Sequence, residues 1–380
     1  MTHEPDRARN FLWKLQATIA EARGDGPAEH EHSDEALRTM ARGIVPHATE
    51  EELDAVIAAA RHIPDHWPPL GPHETWEWYH LIHSLADTLE RHVPSPFTRP
   101  MLGTLATGEI NAITILVPDT DAHLVVFEDQ LLNFANLFSK AVALAIPFEE
   151  AEDGMLRFSH DIDSVRRHLR DSPAALQRFR EVVLAYVLRG SPGAAPQYFV
   201  PPELNPLAST LRNGLELFVL GHEYGHVADG HLADGTAPRR LLGTAGPAVS
   251  EATWSWEKEF VADLIGWSLS VSAMVEKRHD VALSHAGVEL FFSAYEVLNR
   301  ALSLLIRGED TVGTATTHPP ASDRRKLLRM NLQQNAEEHA ESAIMLGTGI
   351  QDIVNLLWEN TAPAVLELHR RGAQPDARWL

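Results

Sequence analysis

The segment Asn205–Gly230 reads NPLASTLRNGLELFVLGHEYGHVADG, and Leu207, Leu211, Leu215, Phe218, His222 and His226 recur in it at spacings of three and four. That is the period of one helical face. Asn205 suits the N-cap and Pro206 the first helical position, where a missing N–H costs nothing. Gly230 is placed to end the helix. The two histidines therefore continue the apolar stripe and face inward. His222-Glu223-x-x-His226 is the HExxH arrangement, in which two imidazoles one turn apart converge on one metal ion and the glutamate beside them reaches the same place. Together with the helices and two strands read along the rest of the chain, this predicts a mainly α (α+β) fold with a small β-sheet.

Working downstream, two imidazoles need a third protein ligand and an open position before a metal can act on a substrate. The metzincin solution places a third histidine at position 232, which here is Leu232, and His231 misses that register by one. The gluzincin solution takes a glutamate from a later helix, commonly within Glu-x-x-Ala-Asp, and Glu259-Phe260-Val261-Ala262-Asp263 matches it. Glu259 and Asp263 share a helical face with Trp256 and Phe260, in a run too apolar for a surface helix. Carboxylates on a core-facing stripe are costly unless they meet cations or donors. A metal bound by Glu259, with Asp263 accepting a hydrogen bond from a ligand imidazole, answers that cost. A buried ion pair to arginine is the alternative.

Upstream, NAITILVP and HLVVFED are short β-branched runs joined by the turn DTDA, which predicts two strands. LLNFANLFSKAVALAIPF predicts a helix, and Asp163–Leu188 two more, broken at Ser172-Pro173. Before the Pro-rich break VPSPFTRP, the stretches FLWKLQATIAEAR, Glu50–Arg61 and WEWYHLIHSLADTLE read as helices. AEHEHSDE, carrying His30 and His32, reads as a solvated linker. His80 and His83 lie three apart on the third helix without the carboxylate pattern of a metal site, so core or surface packing is the simpler expectation. The Gly/Ala/Pro-rich interval between Gly230 and Trp254 has the composition of a lid. After Arg307 a Gly/Thr-rich loop leads to further helices.

The 380 residues are 44% apolar and 22% charged, ordinary globular composition, but 32 basic against 53 acidic side chains leave a net charge of −21. Such a field repels phosphate backbones and anionic lipid heads, so neither nucleic acid nor a membrane surface is expected as a partner. Leu264–Val275 is too short to span a bilayer, and MTHEPDRARN has no apolar core of a secretory signal. No cysteine is present. Disulfides, thiolate metal sites and a cysteine nucleophile are thereby excluded. A cytoplasmic protein working through histidine, carboxylate and hydroxyl groups is expected.

Three blocks, GHEYGH (Gly221–His226), EFVAD (Glu259–Asp263) and THPPASDRR (Thr317–Arg325), together resemble the HtpX-type and CAAX-prenyl-protease-type gluzincin metallopeptidases, with weaker echoes at Asn111-Ala112 and LVVFEDQLL. The likeness covers roughly Asn111–Met330. It implies one Zn2+ per chain held by His222, His226 and Glu259, with Glu223 as general base of a zinc endopeptidase acting on a protein or peptide substrate. It also implies an edge strand that pairs with extended substrate, His318 as donor to the oxyanion, and Asp263 and Arg324 as supports around the ligands. On this basis 1–95 is an N-terminal helical region, 96–335 the zinc metallopeptidase domain, and 336–380 C-terminal helices packed on it. The chain departs from that family in lacking a spanning helix. The Lit-type phage-exclusion peptidases, which also carry HExxH and cut one intracellular protein, are a second likeness. A different class of function, a regulatory or binding protein with a structural metal on the same scaffold, is the alternative.

Overall fold

The structure is a computed structural model that describes residues 4–26, 34–151, 156–232, 235–241, 247–252, 255–312 and 318–376. The chain is mainly α with a small β-sheet. Four helices come first: α1 (Glu4–Arg23), α2 (Asp34–Ile44), α3 (Glu50–Arg61) and α4 (Trp76–Glu90). Strands β1 (Met101–Leu105), β2 (Ala112–Leu116) and β3 (His123–Glu128) lead into α5 (Asp129–Ala145). A two-stranded hairpin, β4 (Phe148–Glu150) and β5 (Leu156–Phe158), precedes α6 (Ile162–Asp171), α7 (Ala174–Arg189) and α8 (Asn205–Ala228). Strands β6 (Thr236–Arg240) and β7 (Ala248–Ala252) then return to the sheet, and α9 (Trp256–Glu276), α10 (Val281–Arg307), α11 (Ala321–Asn335) and α12 (Glu337–Arg370) complete the chain.

The sheet order is β1-β3-β2-β7-β6, with β1 and β3 parallel and the other neighbours antiparallel. Side chains on a strand alternate between faces. Ile113, Ile115, Leu124 and Val126 accordingly pack with Leu12, Leu15 and Ile19 of α1. Ala112, Val125 and Phe127 point the other way, into the main core with α4, α5 and α8. Thr114 shares this second face, and the same alternation brings its hydroxyl to α8. The main core also takes Leu85 and Leu89 of α4 and Ile353, Leu357 and Trp358 of α12, so helices from both halves of the chain are built into it.

Several sequence expectations change. Asn205 does not cap α8: a 3-10 turn, Pro202–Leu204, runs straight into it, and Asn205 is already helical at φ −56° and ψ −45°. The interval expected to form a lid supplies β6 and β7, with 233–234, 242–246 and 253–254 outside the described residues. Among the described residues of 336–380 there is one helix, of 34 residues, where several were expected. Helix α2 starts within the expected linker, while His30 and His32 lie outside the described residues. His80 and His83 pack around Trp67, His83 stacked on it at 5.2 Å between ring centroids. Burial, helped by Arg99, pulls the His83 imidazole down to about 3 and keeps it neutral. Among the described residues no helix is long and apolar enough to cross a membrane.

The site depends on how closely α9 approaches α8. Gly221 of α8 faces Gly266 of α9 with nothing between them: a Cβ added to Gly266 would lie 2.6 Å from the backbone nitrogen of His222. One turn further on, a Cβ at Gly225 would lie 2.8 Å from Cα of Ala262. Side chains at these positions would push the helices apart, so the glycines are what let a carboxylate on α9 reach imidazoles on α8.

Candidate metal centre

His222, His226 and Glu259 converge and together could hold a metal ion. The two Nε2 atoms face each other at 3.2 Å, and the Glu259 oxygens lie 3.4 Å from His226 Nε2 and 3.6 Å from His222 Nε2. Donors about 2.0–2.1 Å from a tetrahedral zinc stand about 3.3 Å from one another, so the spacing fits that ion. The chemistry agrees, since Glu259 is 1% exposed and its Oε2 is buried without a hydrogen-bond partner among the described residues. A buried carboxylate oxygen aimed at two ring nitrogens is costly unless a cation completes the set. Burial opposes the charge on Glu259, but His226, His222 and His318 hold the carboxyl below its usual range. Trp256, placed on the same face by the sequence, is 52% exposed instead.

Asp263 takes both roles that the sequence offered as alternatives. Its Oδ1 lies 2.9 Å from His222 Nδ1, and Arg324 donates to both of its oxygens at 2.6 and 2.5 Å. All three side chains are buried. Against the cost of burial, Arg324 and His222 keep the Asp263 carboxyl below the usual carboxylate range. The Asp263→Asn variant is therefore expected to bind metal about 10 to 100-fold more weakly, because His222 then bonds a neutral amide oxygen in place of the carboxylate that fixes its ring and raises its basicity. It also leaves a buried guanidinium without its counter-charge, a loss of about 3–5 kcal/mol. Chelator competition and denaturant melts read the two effects separately. Metal affinity equal to wild type would show that Asp263 only anchors α11.

Glu223, 6% exposed, stands beside the donors and accepts a hydrogen bond from Thr114 Oγ1 at 2.8 Å. His222, Glu223, His318 and Arg324 all line one cavity, which runs between α8 and α10 and holds about 860 Å³ of empty space, its open mouth included. Away from the metal donors its walls are mostly apolar, with Phe134, Leu215, Val219, Phe291 and Leu298 among them beside the polar Asn111 and Asn299. His318 Nε2 lies 3.5 Å from Glu259 Oε2. Burial lowers the His318 imidazole to about 4 although Glu259 pulls the other way, so the ring is neutral at pH 7. Tyr224 points off this side of α8 and donates to Glu90.

Sequence reasoning missed three contributors. Thr114 reaches Glu223 only because β2 crosses beneath α8. His231, discarded as a ligand, lies with its Nδ1 2.8 Å from His226 Nδ1. Glu251 on β7 is buried, paired to Arg239 at 3.0 Å, and raised to about 7 by burial with Glu223 adding to the effect. The strand that borders the cavity through Asn111 and Ala112 is β2, an interior strand. The described part of β7 pairs with it at Ile115 and Leu116, and the edge strands of the sheet are β1 and β6. Compared with protein-family models, curated proteins and solved structures, the chain matches none.

Proposed function

We propose that this protein is a zinc-dependent endopeptidase of the gluzincin kind, with His222, His226 and Glu259 holding the metal. The observation that carries this reading is Glu223. It is not needed to hold the metal, yet it is buried beside the donors, oriented by Thr114 and open to an apolar cavity. When bound, zinc supplies a Lewis acid and acidifies water toward neutrality. Glu223 takes the proton as water attacks a peptide carbonyl, then passes it to the departing amine. His318 donates to the oxyanion, and the apolar cavity takes a bulky side chain next to the cleaved bond. Zinc-loaded protein incubated with a library of internally quenched peptides is expected to hydrolyse a subset, and chelation to stop it. No hydrolysis of the library or of a denatured protein would overturn the proposal.

A second reading rests on His318. Its Nε2 lies 3.5 Å from Glu259 Oε2 but outside the group that His222, His226 and Glu259 form, and a shift toward those donors would make it a fourth ligand. A closed four-donor set is a structural site without an open coordination position. The His318→Ala variant separates the two. In the peptidase it keeps its zinc while turnover falls about 10²–10³-fold, the usual cost of one oxyanion donor. Loss of zinc from that variant, measured by metal content after gel filtration, would favour the structural site.

A further inference from the structure

We infer that His231 is the positioning residue for the metal ligand His226, through a hydrogen-bonded chain that ends on Asp229. The inference rests on the metal reading of His222, His226 and Glu259, and adds a residue to it. The chain leaves α8 in a backbone motif that dictates the contact. Gly230, at φ +69°, turns the chain; its N–H bonds the carbonyl of Val227 at 3.2 Å, and the N–H of His231 reaches back to the carbonyl of His226 at 3.1 Å. These are the two bonds of a Schellman stop, which lays the residue after the glycine against the one five before it. That pair of positions usually carries a hydrophobic contact. Here it carries two imidazoles.

The proton positions follow from the donors. His226 turns Nε2 toward His222 and Glu259, so that nitrogen offers its lone pair to the metal. A neutral ring then carries its hydrogen on Nδ1, which lies 2.8 Å from His231 Nδ1. His231 must accept there, which leaves its own hydrogen on Nε2, 2.9 Å from Asp229 Oδ2. Asp229 is half exposed, at 51% of its side chain, so the chain ends in water. Lys258 of α9 donates to the His231 carbonyl at 2.9 Å and ties the turn to the helix that carries Glu259. Both ligand imidazoles thus end on a carboxylate, His222 directly on Asp263 and His226 through an intervening ring. Such support fixes ring orientation and tautomer and raises the basicity of the ligating nitrogen.

The test uses the full chain and zinc alone. In His231→Leu the apolar side chain suits the helix stop but accepts no hydrogen bond. In His231→Asn the amide oxygen can occupy the place of Nδ1. The leucine variant is expected to bind zinc about 10 to 100-fold more weakly in competition with a chromogenic chelator, and the asparagine variant to recover most of that loss. In the zinc-loaded wild type, ¹⁵N spectra of the histidines should show His226 protonated at Nδ1 and His231 at Nε2. Wild-type affinity in the leucine variant, equal losses in both variants, or His231 protonated at Nδ1 would overturn the inference while leaving the metal site standing. A wild-type chain that takes up no zinc would overturn both.

Discussion

Glu259→Ala is expected to abolish stoichiometric zinc binding, where the wild type retains about one ion per chain. The two imidazoles on α8 define only one edge of a coordination shell, and α9 offers no other oxygen at that position: Asp263, one turn on, is already shared between His222 and Arg324. The loss is therefore not graded. Stability should report it as well, because an ion that binds the folded chain alone stabilises it by about 4 kcal/mol at a thousandfold excess over its dissociation constant. Adding zinc should raise the melting temperature of the wild type and leave that of Glu259→Ala unchanged. His222→Ala is expected to behave alike. The metal-free melts provide the control for folding, since they read separately what loss of the Glu259 contacts to His222, His226 and His318 does to the apo chain. Zinc retained at one per chain in both variants would remove the site from these residues.

What the sequence disclosed follows from the range of the interactions involved. The periodic stripe from Leu207 to His226 is a local property, and so is the spacing of Glu259 and Asp263, so the ligand-bearing helices and their inward faces could be read directly. His318 and Arg324 entered through resemblance alone, because nothing local requires a residue after a long loop to return to the cavity. Strand β1 was not read, since MLGTL (Met101–Leu105) is short and takes its identity from parallel pairing with β3, a partner beyond β2. The β6–β7 hairpin was misjudged for a similar reason: its Gly/Ala/Pro-rich composition resembles a loop, and only pairing with β2 makes it sheet. Thr114 carries no signal of its own, because its role depends on which strand crosses α8. His231 is the instructive case. Gly230 was correctly seen as the end of the helix, and the geometry of a glycine stop places the next residue against His226. The signal is local: a histidine directly after the stop glycine falls against His226 although it misses the register of a ligand.

Glu223→Gln is expected to keep its zinc and lose about 10²–10⁴ in turnover, the contribution of a positioned general base. Glutamine matches glutamate in volume, and its amide oxygen can still accept the Thr114 hydroxyl that orients the wild-type carboxylate at 2.8 Å. The position of the side chain is therefore preserved while its capacity to take a proton is removed. Because Glu223 is not among the three metal donors, the ion should remain at wild-type stoichiometry. The loss then belongs to kcat rather than to substrate binding, and KM should change little. This variant also separates the two classes of function more sharply than any ligand substitution, since a structural metal site has no use for a base and would leave every property of the protein unchanged. Steady-state hydrolysis of a cleaved library peptide, with zinc measured on the same samples, gives the result. Cleavage near the wild-type rate by a zinc-loaded Glu223→Gln chain would mean that the base lies elsewhere or that the activity belongs to another protein in the preparation.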